Sequence, residues 1–124
     1  MTYAAITGWG KCLPPSVLTN ADLATFLDTN DEWIVSRTGI KERRVSHVPM
    51  TVLSHVASMR ALACAGMDPK DIDLVVLGTC SADEQVPNTA SAIQLLIGAT
   101  KAAAMDINTA CTSFLYGLST ATAM

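Results

Sequence analysis

The most pointed chemistry in the sequence lies in AAAMDINTACTSFLYGLSTATAM, positions 102–124. Ala103 to Ile107 reads as a short buried strand, a tight corner follows, and a helix begins at or beside Cys111. A thiol at a helix start faces unpaired backbone N–H groups and the positive end of the helix dipole, both of which favour the nucleophilic thiolate. The competing reading is a small buried hydrophobe, the usual condition of a free cysteine. No histidine follows Cys111, so a base for it has to come from upstream or from residues outside this sequence. A second cluster, Thr79-Cys80-Ser81, ends another apolar run. Ligands of open α/β sheets gather beyond the carboxyl ends of the strands, so the two clusters are candidates to converge.

Other residues that could do chemistry are weaker. Cys12, Cys64, Cys80 and Cys111 are irregularly spaced without a Cys-x-x-Cys pair, which argues against zinc and against a disulfide framework. Cys64 fits the buried side of its helix. Gly8-x-Gly10 lacks the third glycine and the helix of a dinucleotide fingerprint. The basic run Lys41 to Arg44 (KERR) is either a solvated loop or an attractor for a phosphorylated ligand or acidic protein. His47 and His55 read as structural.

The elements that must position these groups follow from periodicity and punctuation. Tyr3 to Lys11 alternates weakly, as a strand would, with glycines allowing close approach. Thr19 and Asp22 form a capping-box pattern for a short helix whose buried stripe is Leu23, Phe26 and Leu27. Thr29 to Glu32 starts a second helix, DEWIVSR, closed by Gly39. A third runs from Thr51 to Ala65, with Val52, Val56, Met59 and Ala63 at helical spacing and Gly66 as its stop. Leu74 to Leu77 is a continuous apolar run, best read as a doubly buried strand. Pro87 and Asn88 start a fourth helix with Ala90, Ile93, Leu96 and Ile97 as its stripe and Gly98 as its stop. Strands separated by helices define an α/β fold with a mostly parallel sheet. The helix after Cys111 is apolar or small on every side and uncharged to Met124, the signature of a helix covered all round. It reaches the last residue without a stop signal, so the expectation is a protein only partly present, a single half-domain over residues 1–124 that is cut in or after the helix following Cys111.

Composition narrows the function classes. The 124 residues are 50% hydrophobic, enough for a core, and only 15% charged, which supports a buried partner surface. A net charge of −3 argues against general nucleic-acid binding. No apolar run is long enough for a membrane helix and the N-terminus lacks a signal-peptide pattern, so the expected location is the cytoplasm.

TNDEWIVSRTGIKER (29–43) resembles the TSDEWIxxRTGIxxR signature of the β-ketoacyl-acyl-carrier-protein synthase III family. GTCSADEQVPNTASAIQ resembles that family's middle segment and DINTACTSFLYGL its active-site cysteine motif, in order and at matching spacing. The resemblance implies the N-terminal half of the thiolase fold, a five-layered α-β-α-β-α sandwich, usually as a homodimer. It implies that Cys111 takes an acyl group from acyl-coenzyme A, which is substrate, with no permanently bound cofactor and no metal. Malonyl-acyl-carrier protein then loses carbon dioxide and its carbanion attacks the thioester. By resemblance Trp33 stacks on the adenine of coenzyme A, Arg37 lies beside the nucleotide phosphates and Thr29 near the adenine. Val86 matches a loop position that reaches into the partner subunit's acyl pocket. The histidine and asparagine that stabilise the enolate belong to the family's second half, so the chain alone is expected to be inactive. Residues 44–56 run short of the common pattern, Ser113 stands where glycine is usual, and Thr112 replaces a frequent serine or alanine. Two alternatives stay open: a related thiolase-fold acyltransferase with a small-molecule extender, and a non-catalytic interaction fragment with a buried Cys111.

Overall fold

The computed structural model describes residues 4–124, which fall into two units: Leu13–Val48, and the remainder of the described chain. In the first, β1 (Ser16–Thr19) pairs antiparallel with β2 (Glu42–Val45), Ser16 opposite Val45 and Thr19 opposite Glu42. Thr19 caps α1 (Asn20–Leu23) through the reciprocal bonds of a capping box with Asp22. Asn30 caps α2 (Asp31–Thr38) by accepting the Trp33 N–H at 2.8 Å. Asp31 and Glu32 lie in its first turn and Arg37 in its last, both complementing the helix dipole.

Asn20 joins these elements. Only 1% exposed, it donates to Asp31 Oδ1 and to the Ile40 carbonyl, each at 2.8 Å, and accepts from Arg43 Nη1 at 2.9 Å. A buried amide with three partners meets the demand that buried polar groups be paired. Two expectations fail in this unit. KERR is no loop, because Glu42 to Arg44 lie in β2 and Arg43 is drawn inward by Asn20 and by the Leu18 carbonyl. The stripe after Thr19 does not form either: α1 ends at Leu23, leaving Phe26 and Leu27 mostly exposed.

In the second unit β3 (Leu74–Gly78) and β4 (Ala103–Ile107) run parallel in register, joined through α4 (Thr89–Ile97). Alternation along β3 divides its side chains between two layers. Val75 and Leu77 pack with Ile93, Ile97 and Ala99 on the α4 side, while Val76 and Gly78 face α5 (Ser113–Ala123). The α/β reading holds, although β3 is half-buried where a doubly buried strand was expected. On α4, Ala90, Ile93 and Ile97 are buried as read, but Leu96 is 52% exposed.

Docking of α4 onto β4 is polar. Asp106 accepts the Thr89 N–H at 3.0 Å and the Ala90 N–H at 2.8 Å, and Asn88 donates to the Ala104 carbonyl at 3.3 Å. The third helix, α3 (Met50–Ala65), has Pro49 at its cap position, which supplies no side-chain bond. Asp83 does so from a distant loop, accepting the N–H groups of Met50 at 2.9 Å and Thr51 at 2.8 Å.

The segment read as a strand over Tyr3 to Lys11 is irregular from residue 4 onward; Tyr3 lies outside the described residues. It runs against α3 instead of pairing in a sheet. A Cβ on Gly8 would lie 2.5 Å from the Ala61 carbonyl oxygen, and one on Gly10 would be 2.6 Å from the Ala61 nitrogen. Ala61, Ala65 and Leu62 thus occupy inner positions of α3, whereas Val52, Met59, Ala63 and Cys64 of the expected inner face are exposed. Helical spacing gives a period, and the packing partner selects which face is covered.

Candidate active site

Cys111 lies in a 3₁₀ turn, Ala110–Thr112, between the end of β4 and the first residue of α5. The corner is sharp enough to put Ala110 at φ 47°, in the left-handed region that residues with a Cβ seldom enter. Such strain is stored where surrounding structure over-determines it, and a strand-to-helix corner of this kind projects a nucleophile in other enzymes. Here the determinants are local. Ala110 N–H donates to Asn108 Oδ1 at 3.3 Å, Thr112 Oγ1 donates to the Thr109 carbonyl at 2.7 Å, and Ser113 Oγ accepts the Thr109 N–H at 3.0 Å. Cys111 itself is exposed, so the small buried hydrophobe does not describe it.

The two strand ends do come together. Gly78 stands opposite Ile107, and Thr79 N–H continues the ladder to the Ile107 carbonyl at 3.0 Å. Beyond them is a hollow of about 360 Å³ lined by Thr79, Cys80, Ser81, Asn88, Asp106 and Asn108, among others. Cys111, a few residues past Asn108, does not line it. Val86, in the loop between β3 and α4, is 90% exposed.

The residues matched to nucleotide binding lie in the Leu13–Val48 unit. Trp33 and Arg37, one helical turn apart on α2, stack with the guanidinium carbon 4.5 Å from the ring centroid. Trp33, half-exposed, also lines a depression of about 440 Å³ with Thr29, Leu23, Leu27, Ile34 and Arg43. Thr29 and Trp33 thus share one hollow, which Arg37, stacked on the Trp33 ring, does not line. Thr29 Oγ1 is buried without a hydrogen-bond partner among the described residues.

Sequence reasoning missed Asn20, Asp83 and Asp106 as organisers and saw Ser113 only as a departure from a pattern. Each acts through bonds to backbone that a linear reading does not bring near, except Ser113, whose spacing from Thr109 is that of one helical turn.

The chain is 60% identical over 120 residues to β-ketoacyl-acyl-carrier-protein synthase III 2 of Vibrio cholerae, covering 97% of this chain and 33% of that relative. It is 51% identical over 126 residues to the synthase III of Roseiflexus castenholzii, covering 98% and 38%. The crystal structure of 3-oxoacyl-acyl-carrier-protein synthase III from Aquifex aeolicus superposes with a TM-score of 0.88 at 42% identity, over 94% of this chain and 38% of that one. No protein-family model matches. The chain therefore has the thiolase fold and is homologous to the synthase III condensing enzymes over nearly all its length. It spans about a third of the length of the relatives it matches.

Proposed function

We propose that this chain is the acyl-accepting part of a β-ketoacyl-acyl-carrier-protein synthase III. The observation that carries the reading is an exposed cysteine on a strained strand-to-helix corner, in a chain homologous to that enzyme. In the first half-reaction Cys111 Sγ attacks the thioester carbonyl of acyl-coenzyme A. The new carbon–sulfur bond forms as the bond to coenzyme A breaks, and the coenzyme A thiolate leaves to take up a proton. In the second, malonyl-acyl-carrier protein releases carbon dioxide. The electron pair of that bond becomes a carbanion, which attacks the acyl–cysteine carbonyl and expels the Cys111 thiolate.

Trp33 offers a flat apolar face for the adenine, with Arg37 held beside it as a cation for the nucleotide phosphates; Thr29 lines the same hollow. Val86 is the residue we assign to the acyl pocket of a second subunit in a homodimer, a role that its exposure in the loop after β3 supports. The enolate formed on decarboxylation needs hydrogen-bond donors. Both histidines of this sequence precede Cys111, so the histidine and asparagine assigned to that task by resemblance come from the rest of the enzyme.

The test is condensation of acyl-coenzyme A with malonyl-acyl-carrier protein by the full-length protein carrying this chain, with Cys111→Ala as control. Carrier-protein-dependent product lost on that substitution supports the proposal. Turnover that survives it, or that runs only with a small-molecule extender, defeats it.

A further inference from the structure

Ser113 is 5% exposed and sits directly behind the corner that carries Cys111. Its hydroxyl is engaged in both directions. Oγ accepts the Thr109 N–H at 3.0 Å and donates to the Ala110 carbonyl at 2.9 Å, with Thr109 Oγ1 a further 3.4 Å neighbour. A serine in the first turn of a helix commonly makes the second bond alone. Making both ties down the Asn108–Thr109 and Ala110–Cys111 peptides, which bracket Thr109 and Ala110, the second being the residue whose φ of 47° turns the chain into Cys111.

The strand facing Ser113 is shaped to receive it. A Cβ on Gly78 would lie 2.9 Å from the Ser113 Cβ and 3.2 Å from its carbonyl carbon, closer than packed atoms allow. The absence of a side chain at 78 thus leaves room for both the Cβ and the backbone of Ser113. Glycine at 113, the residue usual in the family this chain resembles, would remove the Cβ contact and both hydroxyl bonds, while the carbonyl carbon and oxygen of residue 113 would still crowd a Cβ at 78.

We propose that Ser113 is a positioning residue for Cys111. Its hydroxyl fixes the Thr109–Ala110 corner, and Gly78 is the vacancy at the end of β3 that admits it. The inference rests on the reading of Cys111 as the acyl-accepting nucleophile. A nucleophile displaced by a fraction of an ångström loses rate at saturation, since near-attack geometry is what the corner supplies. Binding of the nucleotide portion of the substrate is unaffected.

The measurement is single-turnover acyl transfer from acetyl-coenzyme A to the full-length protein carrying this chain, with the labelled cysteine located by peptide mass. Ser113→Ala keeps the Cβ and removes the hydroxyl. The expected result is about a tenfold lower saturating transfer rate at an unchanged half-saturating acetyl-coenzyme A concentration, with the label still on Cys111. Ser113→Gly should lose at least as much, and adding Gly78→Ala to it should not recover the loss, because a methyl on the strand restores neither hydroxyl bond and still meets the backbone of residue 113. The paired variants also carry the test should Ser113→Ala not fold. Wild-type transfer by Ser113→Ala or by Ser113→Gly, or recovery of it on adding Gly78→Ala, overturns the positioning role. Label on another cysteine in the unsubstituted protein overturns the nucleophile reading itself, so the two failures are distinguishable.

Discussion

Cys111, Cys64 and Cys80 are all exposed, so access alone does not separate them. What distinguishes Cys111 is its corner, with a left-handed residue before it and a helix start after it. Competitive iodoacetamide labelling of the full-length protein should therefore modify Cys111 first; faster labelling of Cys12, Cys64 or Cys80 would count against the assignment. At the nucleotide site, Trp33→Ala removes the flat surface on which the adenine is proposed to stack. Base–aromatic stacking is worth about 1–3 kcal/mol, so the half-saturating acyl-coenzyme A concentration should rise roughly 5- to 150-fold with little change in maximal rate. An equal loss in maximal rate at unchanged half-saturation would place Trp33 elsewhere in the reaction. Val86 gives a third test. Phenylalanine there would fill space worth several methylenes, each about 0.8 kcal/mol when buried, so Val86→Phe should shift preference towards acetyl over longer primers. An unchanged chain-length profile would remove Val86 from the pocket.

At the scale of elements, the N-terminus of α3 depends on a carboxylate outside its own sequence. The Asp83 carboxyl is held below its ordinary value of 3.8 chiefly by the hydrogen bond from the Thr51 backbone, against a partial desolvation that raises it and with further help from Met50. A lowered folded-state value means that this contribution is fully present above the ordinary carboxylate range and is lost as pH falls through the folded value. Asp83→Ala should lower stability at neutral pH by about 0.5–1 kcal/mol, the lower part of the capping range because the carboxylate meets solvent. It should also flatten the acid limb of the stability profile below about pH 4, and an unaltered denaturation midpoint would show the cap to be idle. Such caps mark the limit of what the sequence discloses. Thr19 with Asp22, Asn30 and Asn88 were legible because each bonds backbone within one turn. Asp83 on α3, Asp106 on α4 and Asn20 across three segments were not, because their partners lie far along the chain. Leu96, Met59 and Phe26 show the same limit for apolar residues, since spacing names a stripe but only a packed neighbour covers it. β1 and β2 escaped notice because SVLT and ERRV are too short and, in the second, too charged to show a strand period.

For the whole molecule, α5 decides the behaviour. Its lack of charge predicted a helix covered on every side, yet Phe114 is 71%, Leu115 64%, Tyr116 57% and Leu118 40% exposed here. Apolar surface of this extent on one helix is more than a monomer in water usually tolerates, and β3 and β4 pair only with each other among the described residues. The 124-residue polypeptide alone should therefore dimerise or aggregate, and should not condense acyl groups, since one missing enolate donor already costs about 10²–10³ in rate. Light scattering coupled to size exclusion would contradict this with a stable monomer of 13.0 kDa. The fold class and the corner cysteine were legible because both rest on short, ordered motifs; the Ser113–Gly78 pairing was not, because it joins residues from different elements. The most direct test of the central claim is the mass of the acyl-enzyme. The full-length protein carrying this chain is mixed with acetyl-coenzyme A in the absence of malonyl-acyl-carrier protein, quenched in acid and mapped by peptide. The account predicts one acetyl group, on the peptide containing Cys111, discharged when malonyl-acyl-carrier protein is added. An acetyl group on Cys80 or another residue, or none on a protein that still condenses, would contradict it.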